Sequence, residues 1–402
     1  MNRLLTSMAA ALLGATMLGA WAADTLRPQV GKPLQAAQEL MKQQKYKEAL
    51  AKVGEADSVP GKTPYEAFIV ERMRGAAAAG AGDADTAAKA FESVIASGKL
   101  SPDESLKLMQ GMAGTYYRAK EYAKAVSWAQ RYRKAGGSDA QVDTVLAQSY
   151  YLSGDYAGAA RELQSQFTAQ EKAGRTPTED QYQLLASCYL KQNDRAGYAS
   201  TLQQLVAYYP KQEYWADLLN QIQRKPGFSD RLGLDVYRLM LATGTLKAAS
   251  DYMEMAQLAL QAGYPLEAQK VIARGYASKV LGSGAEAPRQ QRLKDLADKQ
   301  AAEDLKAIQA DAKEAVGKGA DAMVAVGYNL VIDGRNDQGL QLMEQGIARG
   351  GLKHPDDAKL HLGLAYLSAG NKAKALQVLK TVQGSDGAAD LAKLWIAQGR
   401  TT

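Results

Sequence analysis

A cassette of about 36 residues recurs along this 402-residue chain, with a small residue, a Tyr, a Gly-Asp type turn and an Ala at fixed offsets. One copy runs Ala147, Tyr150, Gly154, Asp155, Tyr156, Ala159; another runs Gly363, Tyr366, Gly370, Asn371, Ala375. A unit this short cannot bury an apolar face alone, so it must stack on its neighbours around a continuous core. The cassette therefore constrains the fold strongly and leaves the partner open.

These copies resemble tetratricopeptide repeats. The resemblance implies an all-α fold, a right-handed solenoid of antiparallel helix pairs. In that family a small residue lets the two helices of a pair approach closely, and the Tyr fills the gap to the next pair. Anchored on the small residue of each first helix, the units fall at Ala37, Gly75, Ala113, Ala147, Ala186, Leu219 and Ala256, about 33 to 39 residues apart. Gly327 and Gly363 anchor two more after a gap of roughly two periods. Second helices are expected after turns at 45–46, 82–83, 120–122, 154–155, 193–194 and 263–264, and Pro210 closes the fifth unit because it cannot donate to a continuing helix.

The gap is ambiguous. From 288 to 316 there is no Gly and only the initial Pro, and Leu293, Leu296, Ala297, Ala301, Leu305, Ile308, Ala312 and Ala315 mark an apolar stripe at helical spacing. One helix would be roughly 40 Å long; the period favours a degenerate repeat that turns near 300–303. Residues 278–287 are small and flexible enough for a linker. The expected layout is a signal peptide at 1–22, about seven repeats over 23–281, a linker with a degenerate helical segment at 282–319, and a repeat pair with a capping helix at 320–402. Leu391, Leu394 and Trp395 supply the inner side of that cap, which should have a neighbour on one side only. At the other end, residues 33–53 form a weaker first unit after an extended segment at 27–32.

The N-terminus reads as a secretory signal. Arg3 supplies the positive end, residues 4–18 are an apolar run too short to span a bilayer, and Ala20-Trp21-Ala22 is a small-x-small cleavage site, which starts the mature chain at Ala23. No Cys stands there to accept lipid. The expected location is periplasmic, with no stable membrane insertion. The sole cysteine, Cys188, excludes an intramolecular disulfide, and its apolar company predicts a buried, inert thiol. Lys and Arg exceed Asp and Glu by 49 to 43, but the excess is scattered, which argues against nucleic acid.

No catalytic, metal or cofactor signature emerges. His354 and His361 have the wrong spacing for an HExxH pair and lack Cys ligands nearby; Pro355 is expected to start the helix that carries His361. The stretch 136–140 approaches a nucleophile elbow but ends in Ala, so Ser138 reads as a helix N-cap. The glycines at 282 and 284 lack the Lys of a phosphate loop. Trp128, Trp215, Met253 and Met255 sit at positions that pack between helices, which accounts for them without a cofactor.

In the resembled family, first helices line a concave groove. Carried onto this sequence, the groove presents Lys107, Gln110, Tyr117 and Arg118 in the third unit, Gln148 and Tyr151 with Gln141 and Thr144 in the fourth, Gln183, Ser187 and Lys191 in the fifth, and Asn220 and Arg224 with Gln212 and Gln223 in the sixth. Amides that both donate and accept, with cations able to hold a carboxylate, suit an extended protein segment. The later units instead present Val324, Tyr328, Val331, Ile332, Leu360, Leu364 and Leu367, an apolar face that must be covered by 288–316 or by a partner helix. Residues 65–75, 214–219 and 256–268 are also similar to the periplasmic repeat proteins encoded beside TonB, ExbB and ExbD. That likeness implies a non-enzymatic adaptor for a protein or peptide segment of an envelope complex. The alternatives are a scaffold in outer-membrane assembly or polysaccharide export, and a helical accessory to a cell-wall enzyme.

Overall fold

The structure, a computed structural model, describes residues 25–401. Among them there are twenty α-helices, a single 3-10 turn and no strand. In chain order the helices are α1 (Pro28–Lys42), α2 (Tyr46–Asp57), α3 (Pro64–Ala81), α4 (Ala84–Ala96), α5 (Pro102–Arg118), α6 (Tyr122–Lys134), α7 (Ala140–Leu152), α8 (Tyr156–Lys172), α9 (Glu179–Lys191) and α10 (Arg195–Tyr208). They continue as α11 (Gln212–Gln223), α12 (Gly233–Thr243), α13 (Ala249–Gln261), α14 (Pro265–Ala277), α15 (Ala287–Lys318), α16 (Ala320–Ile332), α17 (Asn336–Arg349), α18 (Pro355–Ser368), α19 (Lys372–Leu379) and α20 (Ala388–Thr401). The signal segment at 1–22 lies outside the described residues.

The recurring turn has a physical basis. The first or second residue after most first helices takes a left-handed conformation, at Gly82, Gly154, Gly263, Gly334 and Gly370, and also at Gln44, Lys120 and Asn193. Glycine does this without steric cost, hence its recurrence. An acidic or amide residue follows in several copies and caps the second helix: Asp83 accepts from the Thr86 amide at 3.1 Å, Asp155 from Gly158 at 2.7 Å, and Asn371 from Lys374 at 3.2 Å.

Every anchor lies in a first helix, and all nine are buried. A Cβ on Gly327 would sit 2.8 Å from the Gly339 carbonyl oxygen, and one on Gly363 would sit 2.5 Å from Leu379. A partner helix that close, by its backbone or a packed side chain, leaves no room for a Cβ, which is why small residues mark the register. Consecutive helices joined by these short turns pack as antiparallel pairs, α1 on α2, α3 on α4, α5 on α6, α7 on α8, α13 on α14, α16 on α17 and α18 on α19.

The described residues divide into two compact units, one of 25–177 with Ser187–Gln192 and one of Thr178–Ala186 with 193–401. In the first unit, one core cluster runs from Phe68 through Trp128 to Leu146, and a second gathers Val30, Leu34, Met41 and Val53. Helix α1 begins at Pro28 and carries Pro33 inside it, so the extended segment expected at 27–32 is helix from its second residue. Arg27 fixes that start: its backbone amide and guanidinium donate to the buried Glu66 carboxylate at 2.8 to 3.2 Å. The Arg27 hydrogen bonds, with the Thr63 amide, hold Glu66 down to a pKa of about 2. The cap of α7 is Asp139, which accepts from Gln141 at 2.7 Å, and not Ser138.

In the second unit, the gap resolves as one unbroken helix, α15, of 32 residues. The degenerate repeat with a turn near 300–303 is therefore incorrect: nothing in 288–316 breaks a helix, and α15 packs on α13, α14 and α16 as a single rod. The stripe is narrower than expected. Leu293, Ala297, Ala301, Ile308, Ala312 and Ala315 are buried, whereas Leu296 and Leu305 are exposed. Asp304 takes the slot between Ala301 and Ile308, with one carboxylate oxygen buried and unbonded.

Helix α20 buries Leu391, Leu394 and Trp395 as a cap would. It does not have a neighbour on one side only, however, since it packs on α18 and α19 and also on α10 and α12. Lys225 pairs with Asp390 at 2.6 Å, Arg231 bridges Asp357 at 2.8 Å and also reaches Asp386, and the Ser229 amide donates to the Asp386 carbonyl at 2.9 Å. The last repeats of this unit thus close onto its beginning.

Candidate functional site: two contrasting inner faces

In the first unit, neighbouring first helices are tied by side chains. The Tyr117 hydroxyl on α5 donates to Gln148 Oε1 on α7 at 2.6 Å, and the Tyr151 hydroxyl on α7 shares a hydrogen bond with Ser187 Oγ at 2.7 Å. Each Tyr is also packed edge-on against the Tyr that opens the following second helix, Tyr117 against Tyr122 and Tyr151 against Tyr156, with ring centroids 5.9 and 5.3 Å apart. These four groups brace the face and are partly consumed in doing so. Lys107 and Lys191 are exposed and carry no ion pair among the described residues; Gln110 is half-buried, and Arg118 is exposed, donating to Thr115 at 3.1 Å.

The remaining groove candidates, Gln183, Asn220 and Arg224, belong to the second unit. The same brace recurs there: Gln183 Nε2 donates to the Tyr214 hydroxyl at 2.5 Å, and Tyr214 donates in turn to Glu179. Asn220 is exposed, and Arg224 lines a pocket with residues of α10. Cys188 is fully buried, and burial pushes its thiol up to about 11, well away from a reactive thiolate.

The second unit's inner face is occupied by the chain itself. Asp235 and Arg238 on α12, Glu267 on α14, Tyr328 on α16 and His361 on α18 meet there with Tyr264, which precedes α14. The Arg238 guanidinium donates to Glu267 at 2.8 and 2.6 Å and to Asp235 at 2.7 Å, and its Nη1 lies 3.2 Å from His361 Nε2. His361 Nε2 is in turn 2.9 Å from Asp235 Oδ1. The guanidinium carbon lies 4.7 Å from the Tyr328 ring centroid and 5.0 Å from that of Tyr264.

Burial pushes the Asp235 carboxyl up, but the charges of His361 and Arg238 outweigh it and hold Asp235 well below the usual carboxylate range. Burial likewise pushes the Tyr264 hydroxyl up to about 12. Each charge meets an opposite one inside, so the cluster welds four helices together. Val324, Tyr328, Val331, Leu360 and Leu364 are buried, as an apolar inner face requires. The expected covers are corrected: α15 packs alongside as a sequential neighbour, and it is α12 that reaches Tyr328 and His361.

Sequence reasoning missed this cluster. The available signal was Asp235-x-x-Arg238, an opposite-charge pair one helical turn apart in an otherwise apolar stretch (Leu234, Val236, Leu239, Met240).

Two segments, 182–211 and 357–385, match the family model described as tetratricopeptide repeat. The repeats here are tetratricopeptide-like. Each matched segment spans a helix–turn–helix unit, α9 with α10 and α18 with α19, and most of the other helix pairs share the left-handed turn and the small anchor. No curated protein matches the sequence. Among solved structures, yeast Tom70 is 11% identical with a TM-score of 0.25, covering 92% of this chain and 96% of its own. The Naa15/Naa10 complex bound to HypK-THB is 17% identical with a TM-score of 0.32, and covers 97% of this chain and 61% of its own. Among the described residues, no helix is long and apolar enough to cross a membrane, and no group of three or more His, Cys, Asp or Glu is arranged to hold a metal.

Proposed function

We propose that the protein is a non-enzymatic adaptor that holds an extended segment of another protein on the first-helix face of its N-terminal unit. The observation that supports this reading is the contrast between the two inner faces. In the second unit, paired charges on α12, α14 and α18 meet over the rings of Tyr264 and Tyr328. In the first, Tyr117–Gln148 and Tyr151–Ser187 fix the helices relative to one another, while Lys107, Gln110, Arg118 and Lys191 keep side-chain donors that no acceptor on another helix takes up among the described residues. A preorganised face orders fewer side chains on binding, and its cations favour a segment carrying carboxylates.

The N-terminal signal pattern favours a setting in the periplasm, and the likeness of 65–75 and 256–268 to repeat proteins encoded beside TonB systems suggests an energy-transduction or transport complex as the host. A scaffold in outer-membrane assembly or polysaccharide export is the second reading, supported by the same signal.

A photo-crosslinking residue placed at 107, 110 or 118 in cells is expected to trap one defined protein, and the same residue at Arg161, exposed on α8, to trap none. Lys107→Gln with Arg118→Gln should weaken capture about tenfold or more without shifting the melting midpoint. Equal trapping from Arg161, or none from the first-helix positions, refutes the adaptor reading. Intact mass of the exported chain, beginning at Ala23 in a detergent-free periplasmic fraction, tests the location.

A further inference from the structure

A pocket of about 320 Å³ opens in the second unit between α10, the end of α11 and the start of α20. Its size is at the lower end of the range for small-molecule sites, roughly 300–1,000 Å³. Ala199, Ile222 and Pro226 form its apolar wall. Arg195, Arg224 and Lys225 provide its charge, together with a single carboxylate, Asp390. Lys225 and Asp390 satisfy each other at 2.6 Å. That leaves Arg195 and Arg224, which make no ion pair among the described residues and face one apolar cavity from two different helices. Two uncompensated guanidiniums over an apolar wall match an anion with an apolar body. A guanidinium fork recognises a carboxylate in two parallel hydrogen bonds.

We propose that this pocket binds a small organic monocarboxylate, whose short aliphatic or aromatic body lies on Ala199, Ile222 and Pro226 and whose carboxylate is held by Arg195 and Arg224. Helix α20 borders the site through Asp390, and a ligand bound there stabilises the folded unit in proportion to its saturation. It is separate from the adaptor face of the first unit, and either reading can fail without the other.

The test is calorimetric titration of the full mature chain with octanoate and with 3-phenylpropionate, alongside octanol as the neutral counterpart. Saturable binding of a carboxylate below about 1 mM, with none for octanol, is expected. Arg195→Gln and Arg224→Gln should each weaken it about tenfold, while Lys134→Gln, on an exposed lysine of the first unit, leaves it unchanged. Ala199→Phe should block the cavity; if it fails to fold, the two arginine variants, both at exposed positions, carry the test. No saturable binding, equal binding of octanol, or affinity indifferent to both arginine variants overturns the proposal. A short peptide ending in Leu with a free carboxylate is the comparison arm. If it binds and octanoate does not, the occupant is a chain terminus and the small-molecule assignment is wrong.

Discussion

Replacing Arg238 with Met should destabilise the second unit by about 3 kcal/mol. Removing one member of a buried ion pair costs roughly 3–5 kcal/mol, because the partner is left charged in a medium that solvates it poorly. Arg238 has two carboxylate partners, which differ in what they can recover. Asp235 is 3% exposed and keeps His361 at 2.9 Å, while Glu267 is less deeply buried and can regain water. Met restores most of the packing against Tyr264 and Tyr328, so the lower end of the range applies. A loss of about 3 kcal/mol is a change of roughly 150-fold in the folding constant.

Urea unfolding can be read in a Trp128→Phe background, where the tryptophans of the described region are Trp215 and Trp395, both in the second unit. The acid profile provides an independent readout. Asp235 has a depressed pKa, so its stabilisation is complete above the unfolded value near 4 and is lost as the pH falls below it. Without Arg238 the opposing effect of burial gains weight and brings the Asp235 carboxyl back toward or above its unfolded value, so the variant should lose less stability on acidification than the wild type. A destabilisation under about 1 kcal/mol, with an unchanged acid profile, would show that the cluster is solvated and the weld a misreading.

Asp304→Leu should stabilise the second unit by about 1 kcal/mol, since it completes the α15 stripe and removes an unbonded carboxylate oxygen. Burial, then Asp311 and Asp333, push the Asp304 carboxyl up, so the gain at neutral pH should shrink as acid protonates the wild-type group; a destabilised variant refutes the assignment. Cys188→Ala should cost about 1 kcal/mol, and a thiol reagent should modify the folded wild type only as fast as it opens; rapid labelling would place the thiol at the surface.

The repeat register was legible because its cause is local. Two helices that approach closely require a small residue at the crossing, and a left-handed turn favours Gly followed by an N-cap, so Gly75, Ala147, Gly363 and the Gly-Asp turns mark positions directly in the chain. The stripe on α15 was legible in outline only. Helical spacing permits Leu296 and Leu305 as readily as Leu293, and which of them is buried depends on the width of the surface offered by α14 and α16. Closure of the second unit was not legible at all. It rests on Arg231 with Asp357 and Asp235 with His361, each pair 126 residues apart, and no periodicity within a 36-residue cassette encodes a contact of that span.

That closure also bears on where a partner can act. To use the Tyr328–His361 side of the second unit, a partner would have to displace α12, separating Arg238 from Glu267 and Asp235 from His361. New contacts would first have to repay a cost of several kcal/mol. The first-helix face of the N-terminal unit imposes no such cost, because its bracing hydrogen bonds lie between neighbouring helices and its exposed cations displace only water. Two stretches built from the same cassette thus differ in availability because one carries Asp235 and Arg238 on α12 and the other carries no counterpart.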